Sequence, residues 1–370
     1  MEEEKLFYTL ALQTVAGIGP VTAKRLIDYF ESPKAIFQAS QKEIMQVHQV
    51  GTVLWNKIHD PLVLQRAELE LKAIQNQGLS ICYYKDPHYP NLLRECDDSP
   101  IMLFHSNANF EFNNRRVISI IGTRNPSKRG VEFCEQLISD LKDYNPVIIS
   151  GLAYGIDVCA HTAALEEGLD TYAVLGHGLN RIYPERHYSI ARQIEEKGGS
   201  LISEFWMNSR VERENFIQRN RIVAGMSQAV IVIESAIKGG SMSTVTFAND
   251  YNRDVFAVPG RITDVMSQGC NLVIRNNRAQ LLSSANDIVE TLNWDQITKK
   301  PKVIQPMLFL DLSDDEQKVY DYLVTCEREL LDMIALNCEM PIYKVSTALL
   351  NLELRGIVRP LPGKYFELIQ

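Results

Sequence analysis

The chain has 370 residues, of which 45% are hydrophobic and 23% charged, with a formal net charge of −8. That length holds a full α/β domain plus one or two smaller ones, in an ordinary globular composition. The acidic balance argues against coating nucleic acid by bulk attraction, yet it allows a local basic groove, because phosphate binding is decided within about 10 Å at physiological salt. No apolar run approaches the roughly 20 residues of a membrane helix, and the acidic start Met1-Glu-Glu-Glu-Lys5 lacks the order of a signal peptide. Seven cysteines without a CxxC pair read as reduced, mostly buried thiols. The expected setting is cytoplasmic, with no metal, no cofactor and no membrane partner.

Residues 1–78 read as a helical domain. Leu6, Leu10 and Leu12, then Ala23, Leu26, Ile27 and Phe30, keep a helical period around Val15-Ala-Gly-Ile-Gly-Pro20. The Gly-Ile-Gly turn before a helix is similar to a helix-hairpin-helix element, whose turn amides can hold a DNA phosphate. Val47-His-Gln-Val-Gly51 looks like a degenerate second copy. A plain helical packing domain, with the glycines closing turns, accounts for the same residues.

Residues 79–293 form the expected core. Tyr83 to Phe104, rich in proline and aromatics, is an extended connector or an outlying strand. From about Arg115 to Glu290, short runs of Val, Ile and Ala alternate with helical stretches at βαβ spacing. This predicts a mostly parallel sheet covered on both faces. A linker over 294–311, with Lys299-Lys-Pro-Lys302 and Pro306, leads to a small domain at 312–370. There Ser313-Asp-Asp-Glu316 is a capping box, followed by helices at about 330–337 and 341–354 and a hairpin around Pro362-Gly363. Three helices and a hairpin resemble a winged helix. Its presumed recognition helix is poor in cations, so packing or protein contact is expected there rather than DNA reading.

The core's strands end in glycine-rich turns carrying hydroxyls and cations, where α/β sheets place anionic ligands. The dinucleotide fingerprint and the Walker loop are both absent. Three cradles remain: Gly122-Thr123-Arg124 with Ser127, Gly151 to Gly155, and Lys238-Gly239-Gly240-Ser241. Three cradles at one sheet edge suit several phosphates in a row better than one mononucleotide. In a helical Glu214 to Gly225, Phe216, Arg219 and Asn220 share one face. That offers an aromatic for base stacking, a guanidinium for phosphate and an amide for a base edge. Core packing is the competing reading of Phe216. Arg221 lies off that face, where it either joins the site or pairs with an acid such as Glu234.

Several ordered motifs carry a resemblance. They include Gly122-Thr-Arg-x-x-Ser127, Ser150-Gly-Leu-Ala-x-Gly-Ile-Asp157 and Val174-Leu-Gly-x-Gly-Leu-Asn180 with Tyr183-Pro184. Phe216-x-x-Arg-Asn-Arg-Ile222, Gly240-Ser241 and Val255-Phe-Ala-Val-Pro-Gly260 follow. Together they resemble the DNA-processing protein A family (DprA, also called Smf) over nearly the whole chain. The resemblance implies an extended Rossmann-like domain between a SAM-like helical domain and a winged helix. It implies binding and protection of single-stranded DNA, its delivery to the RecA recombinase in natural transformation and recombination, a homodimer through the central domain, and no catalysis. The sequence departs at Glu204 to Arg213, where the family usually has a proline-rich stretch, and at Gly239, usually a serine.

The alternative is a nucleotide hydrolase of the related lonely-guy type. Those enzymes carry a glutamate soon after the double-glycine loop, whereas here no carboxylate follows until Asp250. Asp157 and His161, at i and i+4, read as a helix N-terminal acid and a packed histidine rather than a catalytic pair.

Overall fold

The computed structural model describes residues 3–107, 112–207, 209–294, 312–326, 328–355, 357–361 and 364–368. The expected linker beyond residue 294 and the turn at Pro362-Gly363 lie outside them. The described chain divides into two compact units, Met1–Ile297 and Thr298–Gln370.

The first unit begins with six helices: α1 (Glu3–Thr14), α2 (Pro20–Phe30), α3 (Pro33–Gln38), α4 (Gln41–Ile44), α5 (Thr52–Ile58) and α6 (Pro61–Asn76). Proline at the first position of α2, α3 and α6 costs no hydrogen bond and presets the helical φ. The Gly17-Ile-Gly19 turn lies between α1 and α2, with Gly17 at φ +94°, a backbone region costly for any other residue.

Next come β1 (Ser80–Tyr83), α7 (Asn91–Arg94) and β2 (Met102–His105). The two strands pair antiparallel, and β2 adds antiparallel to β6 (Ser200–Ser203) at the sheet margin. The proline- and aromatic-rich stretch thus supplies outlying strands. β3 (Val117–Ile121), α8 (Lys128–Asp140), β4 (Val147–Ser150), α9 (Ile156–Glu166), β5 (Thr171–Val174) and α10 (Tyr188–Glu196) lead to β6. After β6 come α11 (Arg213–Gly225), β7 (Ala229–Val232), α12 (Ser241–Asp250), β8 (Asp254–Ala257), α13 (Val265–Arg275), β9 (Gln280–Leu281) and α14 (Ala285–Thr291). The sheet order is β1-β2-β6-β5-β4-β3-β7-β8-β9, and β3 to β9 pair only in parallel with one another.

All five residues of β3 are buried, because both sheet faces are covered. Ile118 and Ile120 face the layer of α8, α9 and α14, while Val117 and Ile121 join the opposite core with α11, α12 and the first helices. Each such side chain contributes roughly 1.5–3 kcal/mol by leaving water. The first strands build outward from β3 to β6, and β7 then pairs on the other side of β3. That reversal opens a crevice at the carboxyl ends of β3 and β7.

The helical segment shares the core of the sheet rather than standing apart. The Gln13 amide donates to the Glu204 carbonyl (2.9 Å), and the Met207 N–H donates to Glu70 Oε1 (2.7 Å). Lys24 Nζ donates to Cys96 O, Asp97 O and Ser99 Oγ at 2.6–3.1 Å.

The second unit holds α15 (Asp314–Cys326), β10 (Arg328–Leu330), α16 (Leu331–Asn337), α17 (Ile342–Leu354), β11 (Val358–Leu361) and β12 (Tyr365–Leu368). Its strands pair in the order β10-β12-β11, around Val319, Leu323, Ile334, Val345, Leu349 and Leu352. The Ser313 capping box is formed: Ser313 N–H donates to Glu316, and Glu316 N–H donates back to Ser313 Oγ. This is the winged-helix arrangement.

His161 on α9 is fully buried. The single Thr171 hydroxyl proton goes to Ile148 O (2.8 Å), so His161 Nδ1 is the donor across its 2.6 Å contact with Thr171 Oγ1. Burial foremost, aided by the Arg219 and His187 charges, pulls the His161 pKa down to about 3. A histidine neutral when folded favours the fold above its unfolded pKa near 6.5, and that stability is lost as pH falls toward 3. From pH 7 to pH 5, the wild type should lose about 2 kcal/mol relative to His161→Asn. Urea unfolding at each pH measures this, and parallel pH profiles would refute the neutral assignment.

Candidate nucleic-acid interface

The loops after β3, β4 and β7 meet at the crevice, and their glycines explain how. A Cβ on Gly122 would stand 2.6 Å from Ile156 Cγ1. At Gly155, whose φ is +80°, it would stand 2.2 Å from the Thr123 carbonyl oxygen. The Ile156 N–H donates to that carbonyl, locking the β3 and β4 loops together, and the Thr123 N–H donates to Glu234 O (2.7 Å), tying in the β7 loop. Thr123 Oγ1 accepts the Asn125 N–H.

Ser127 caps α8 by accepting the Gly130 N–H (3.0 Å). Its own hydroxyl and N–H donate to the Glu234 carboxylate at 2.6 and 2.8 Å. An anion already sits at this helix start, as the helix dipole favours, so the structure commits Ser127 to Glu234 instead of an open phosphate cradle.

The third cradle is built by hydroxyls. Ser241 Oγ donates to Ser235 Oγ (2.8 Å), and a Cβ at Gly239 would stand 2.3 Å from that same Ser235 oxygen. The departure from serine at 239 thus has a steric partner in Ser235. Gly240 has open space around its Cβ position and caps α12 without a side-chain hydrogen bond, so the first amides of that helix end at an accessible loop. Lys238 beside it is exposed, as is Arg124 across the crevice.

The α11 face differs from the expectation. Arg219 is buried: its Nη1 donates to Val174 O (2.6 Å) and occupies the place of a Gly151 side chain. Burial lowers its pKa while the Asp157 carboxylate opposes that shift. Burial in turn raises the Asp157 pKa, against the Arg219 charge and the Ala153 N–H. The guanidinium braces the β4 and β5 loops from below and does not reach solvent. Arg221 is also buried, paired with Glu204 and donating to Asp98 O (2.5 Å). Of the two readings of Arg221, joining the site or pairing with an acid, the structure shows the pairing, with Glu204 rather than Glu234, which Ser127 holds. Asn220 donates to Ser243 Oγ (2.9 Å) and Gly240 O (3.3 Å), so its amide shapes the double-glycine loop.

Phe216 is half-buried. Its ring lies over Gly176, where a Cβ would approach Cδ1 to 2.9 Å, and against Tyr183 at 5.8 Å between centroids. Tyr183 and Tyr154, both over 40% exposed, are further candidates that sequence reasoning misses. Tyr183 stands inside a family-like motif, and Tyr154 inside the β4 cradle itself, so position was the available signal. Among the described residues, no group of three or more His, Cys, Asp or Glu is placed to hold a metal, and no helix is long and apolar enough to cross a membrane.

A family model for the DNA recombination-mediator protein A matches residues 80–293. The DprA winged helix domain matches 307–364, and a SAM-like helix-hairpin-helix tandem matches 9–61. Protein Smf of Synechocystis is 30% identical over 403 residues, covering 99% of this chain and 100% of its own. Protein Smf of Escherichia coli is 32% identical, covering 84% and 87%. The X-ray structure of DNA processing protein A from Streptococcus pneumoniae superposes with a TM-score of 0.65 at 29% identity, over 78% of this chain and 98% of its own. That of Helicobacter pylori, described for its single-stranded DNA binding mode, gives 0.53 at 26% identity, over 59% and 97%. The chain belongs to the DNA recombination-mediator protein A family.

Proposed function

We propose that this chain binds single-stranded DNA along the carboxyl edge of its sheet, protects it and hands it to RecA, acting as a homodimer without catalysis. The observation that carries the reading is the crevice itself. Exposed Arg124 and Lys238 stand on its two sides, over glycine loops that leave backbone accessible, with the Phe216–Tyr183 pair alongside. Cations for phosphates beside aromatic faces for bases are what a sequence-tolerant strand grip requires. The described Helicobacter pylori relative binds single-stranded DNA, which supports the same use here.

Nothing favours the hydrolase reading. Of the acids at these loops, Glu234 is held by Ser127 and Asp157 is buried with the Ala153 N–H on it. Asp250 closes the far end of α12. A hydrolase needs an acid or base within reach of the scissile bond.

For the dimer, the support is apolar surface. Ile237, Ile262 and Val265 are 50%, 87% and 59% exposed. Ile237 lies on the loop after β7, and Ile262 and Val265 lie at the entry to α13, which the Ser235 N–H to Met266 O bond (2.6 Å) joins to that loop. Clustered exposed aliphatics mark an interface.

Arg124→Glu or Lys238→Glu should weaken oligo(dT) binding and reduce the slope of log affinity against log salt by about 0.7 for each phosphate no longer neutralised. An unchanged slope in fluorescence anisotropy would remove the crevice from the DNA path. Phe216→Ala should cost roughly 1–3 kcal/mol of binding with the fold intact by circular dichroism; a negligible effect would return the ring to a packing role. Ile262→Arg should convert dimer to monomer in sedimentation velocity, and a wild type that sediments as a monomer would exclude this interface.

A further inference from the structure

Two of the seven cysteines meet where α8 packs on α9. Cys134 lies in the middle of α8 and is fully buried, whereas Cys159 ends the first turn of α9 and is half-buried. Cys159 Sγ donates to Val131 O (3.9 Å), one turn before Cys134 on α8. That uses the single Cys159 proton, so Cys134 is the donor in the hydrogen bond between the two thiols. Two sulfurs in such contact on facing helices are close enough for one to attack the other once it is oxidised.

The two thiols differ in what they can do. The hydrogen bond from Cys134 pulls the Cys159 pKa below the ordinary thiol value, against burial and the Glu135 and Glu166 charges. The positive end of the α9 dipole acts in the same direction as that bond. Donating it, together with burial, holds the Cys134 pKa well up. Burial also pushes Cys82 and Cys270 up to about 12 and raises Cys96, Cys326 and Cys338. Thiolate is the reactive form, so Cys159 is the nucleophile of the set, with Cys134 held beside it.

We propose that Cys159 is a peroxide-reactive thiol and that Cys134 resolves it into a disulfide joining α8 to α9. The Cys159 sulfur attacks one oxygen of hydrogen peroxide, the O–O bond breaks, and a sulfenic acid forms as water leaves with the thiol proton. The Cys134 sulfur then attacks Cys159 Sγ. The S–O bond breaks, the S–S bond forms, and a second water leaves with the Cys134 proton. The pair loses two electrons and one peroxide becomes two waters. The cross-link lies next to the crevice loops: the Cys159 N–H donates to Gly155 O, and α8 and α9 follow the β3 and β4 loops.

The test exposes the reduced full chain to hydrogen peroxide at neutral pH, then alkylates it with N-ethylmaleimide under denaturing conditions and digests it with trypsin for mass spectrometry. The expected product is a dithiothreitol-reversible link between the peptides that carry Cys134 and Cys159, with the remaining cysteines alkylated. Loss of the free Cys159 thiol should run at least about tenfold faster than that of any cysteine outside the pair. In Cys134→Ser, which has no resolving thiol, dimedone should trap Cys159 as the sulfenic acid. Cys159→Ser should leave Cys134 reduced, because Cys134 is fully buried. Where a serine variant fails to fold, the wild-type cross-link alone decides. A disulfide between other cysteines, dimedone on Cys134 or another cysteine in place of Cys159, or seven alkylated thiols after peroxide overturns the proposal.

Discussion

The arrangement of the sheet's carboxyl edge depends on one close contact: the Arg219 guanidinium lies where a side chain at position 151 would stand, 1.8 Å from an ideal Cβ. Only glycine permits this approach, and the approach fixes the β4 loop over the guanidinium. From there the constraint spreads. Gly155 rests on the Thr123 carbonyl and Thr123 reaches Glu234, so all three loops take their positions from backbone contacts. Burying a guanidinium costs several kcal/mol unless it is paired and hydrogen-bonded. The Val174 carbonyl and the nearby Asp157 charge offset that cost. In a medium of low effective dielectric, a buried cation acts on its surroundings more strongly than a solvated one. Arg219 therefore braces the loops of this edge from beneath.

Much of the fold was legible because it rests on local signals. Near-continuous Val and Ile runs marked β3, β4 and β7, and the Ser313 capping box marked the start of α15. The helices expected near 330–337 and 341–354 fall at Leu331–Asn337 and Ile342–Leu354. The candidate site was legible only in part. Helical periodicity placed Phe216, Arg219 and Asn220 on one face, but it does not say whether that face meets solvent or the sheet. At Arg219 it meets the sheet, so that guanidinium became a strut, while Phe216 stays half-buried and Asn220 holds the double-glycine loop. The Arg221 partner could not be read from local spacing, because Glu204 lies on the preceding strand's exit and Glu234 had an equal claim in sequence. What decided between them was Ser127, whose hydroxyl and N–H take the Glu234 carboxylate for the α8 cap.

The charges accordingly fall into two populations. Arg219 and Arg221 are spent inside, on a carbonyl and on a carboxylate. Arg124 and Lys238 remain at the surface, on either side of the crevice. A chain with a net charge of −8 attracts a polyanion only where such cations outnumber nearby acids. Of the acids at these loops, Glu234 is turned onto Ser127 at the α8 start, and Asp157 is buried beneath the loops. Burial and capping therefore set the electrostatics of this edge as much as the count of cations does.

The connection between β6 and α11 shows how the two halves of the first unit are coupled. That connection begins Glu204-Phe-Trp-Met207, with no proline in it. Prolines stiffen a backbone by fixing φ; here side chains perform that role. Gln13 of α1 holds the Glu204 carbonyl and the Trp206 indole, Glu70 of α6 holds the Met207 N–H, and Arg221 of α11 holds the Glu204 carboxylate. The segment is thus clamped by α1 and α6 on one side and by α11 on the other, and leaving the buried bonds unmade would be costly. The same α11 carries Phe216 and Arg219, which shape the crevice. The helical segment is thus tied, through this connection, to the helix that shapes the crevice.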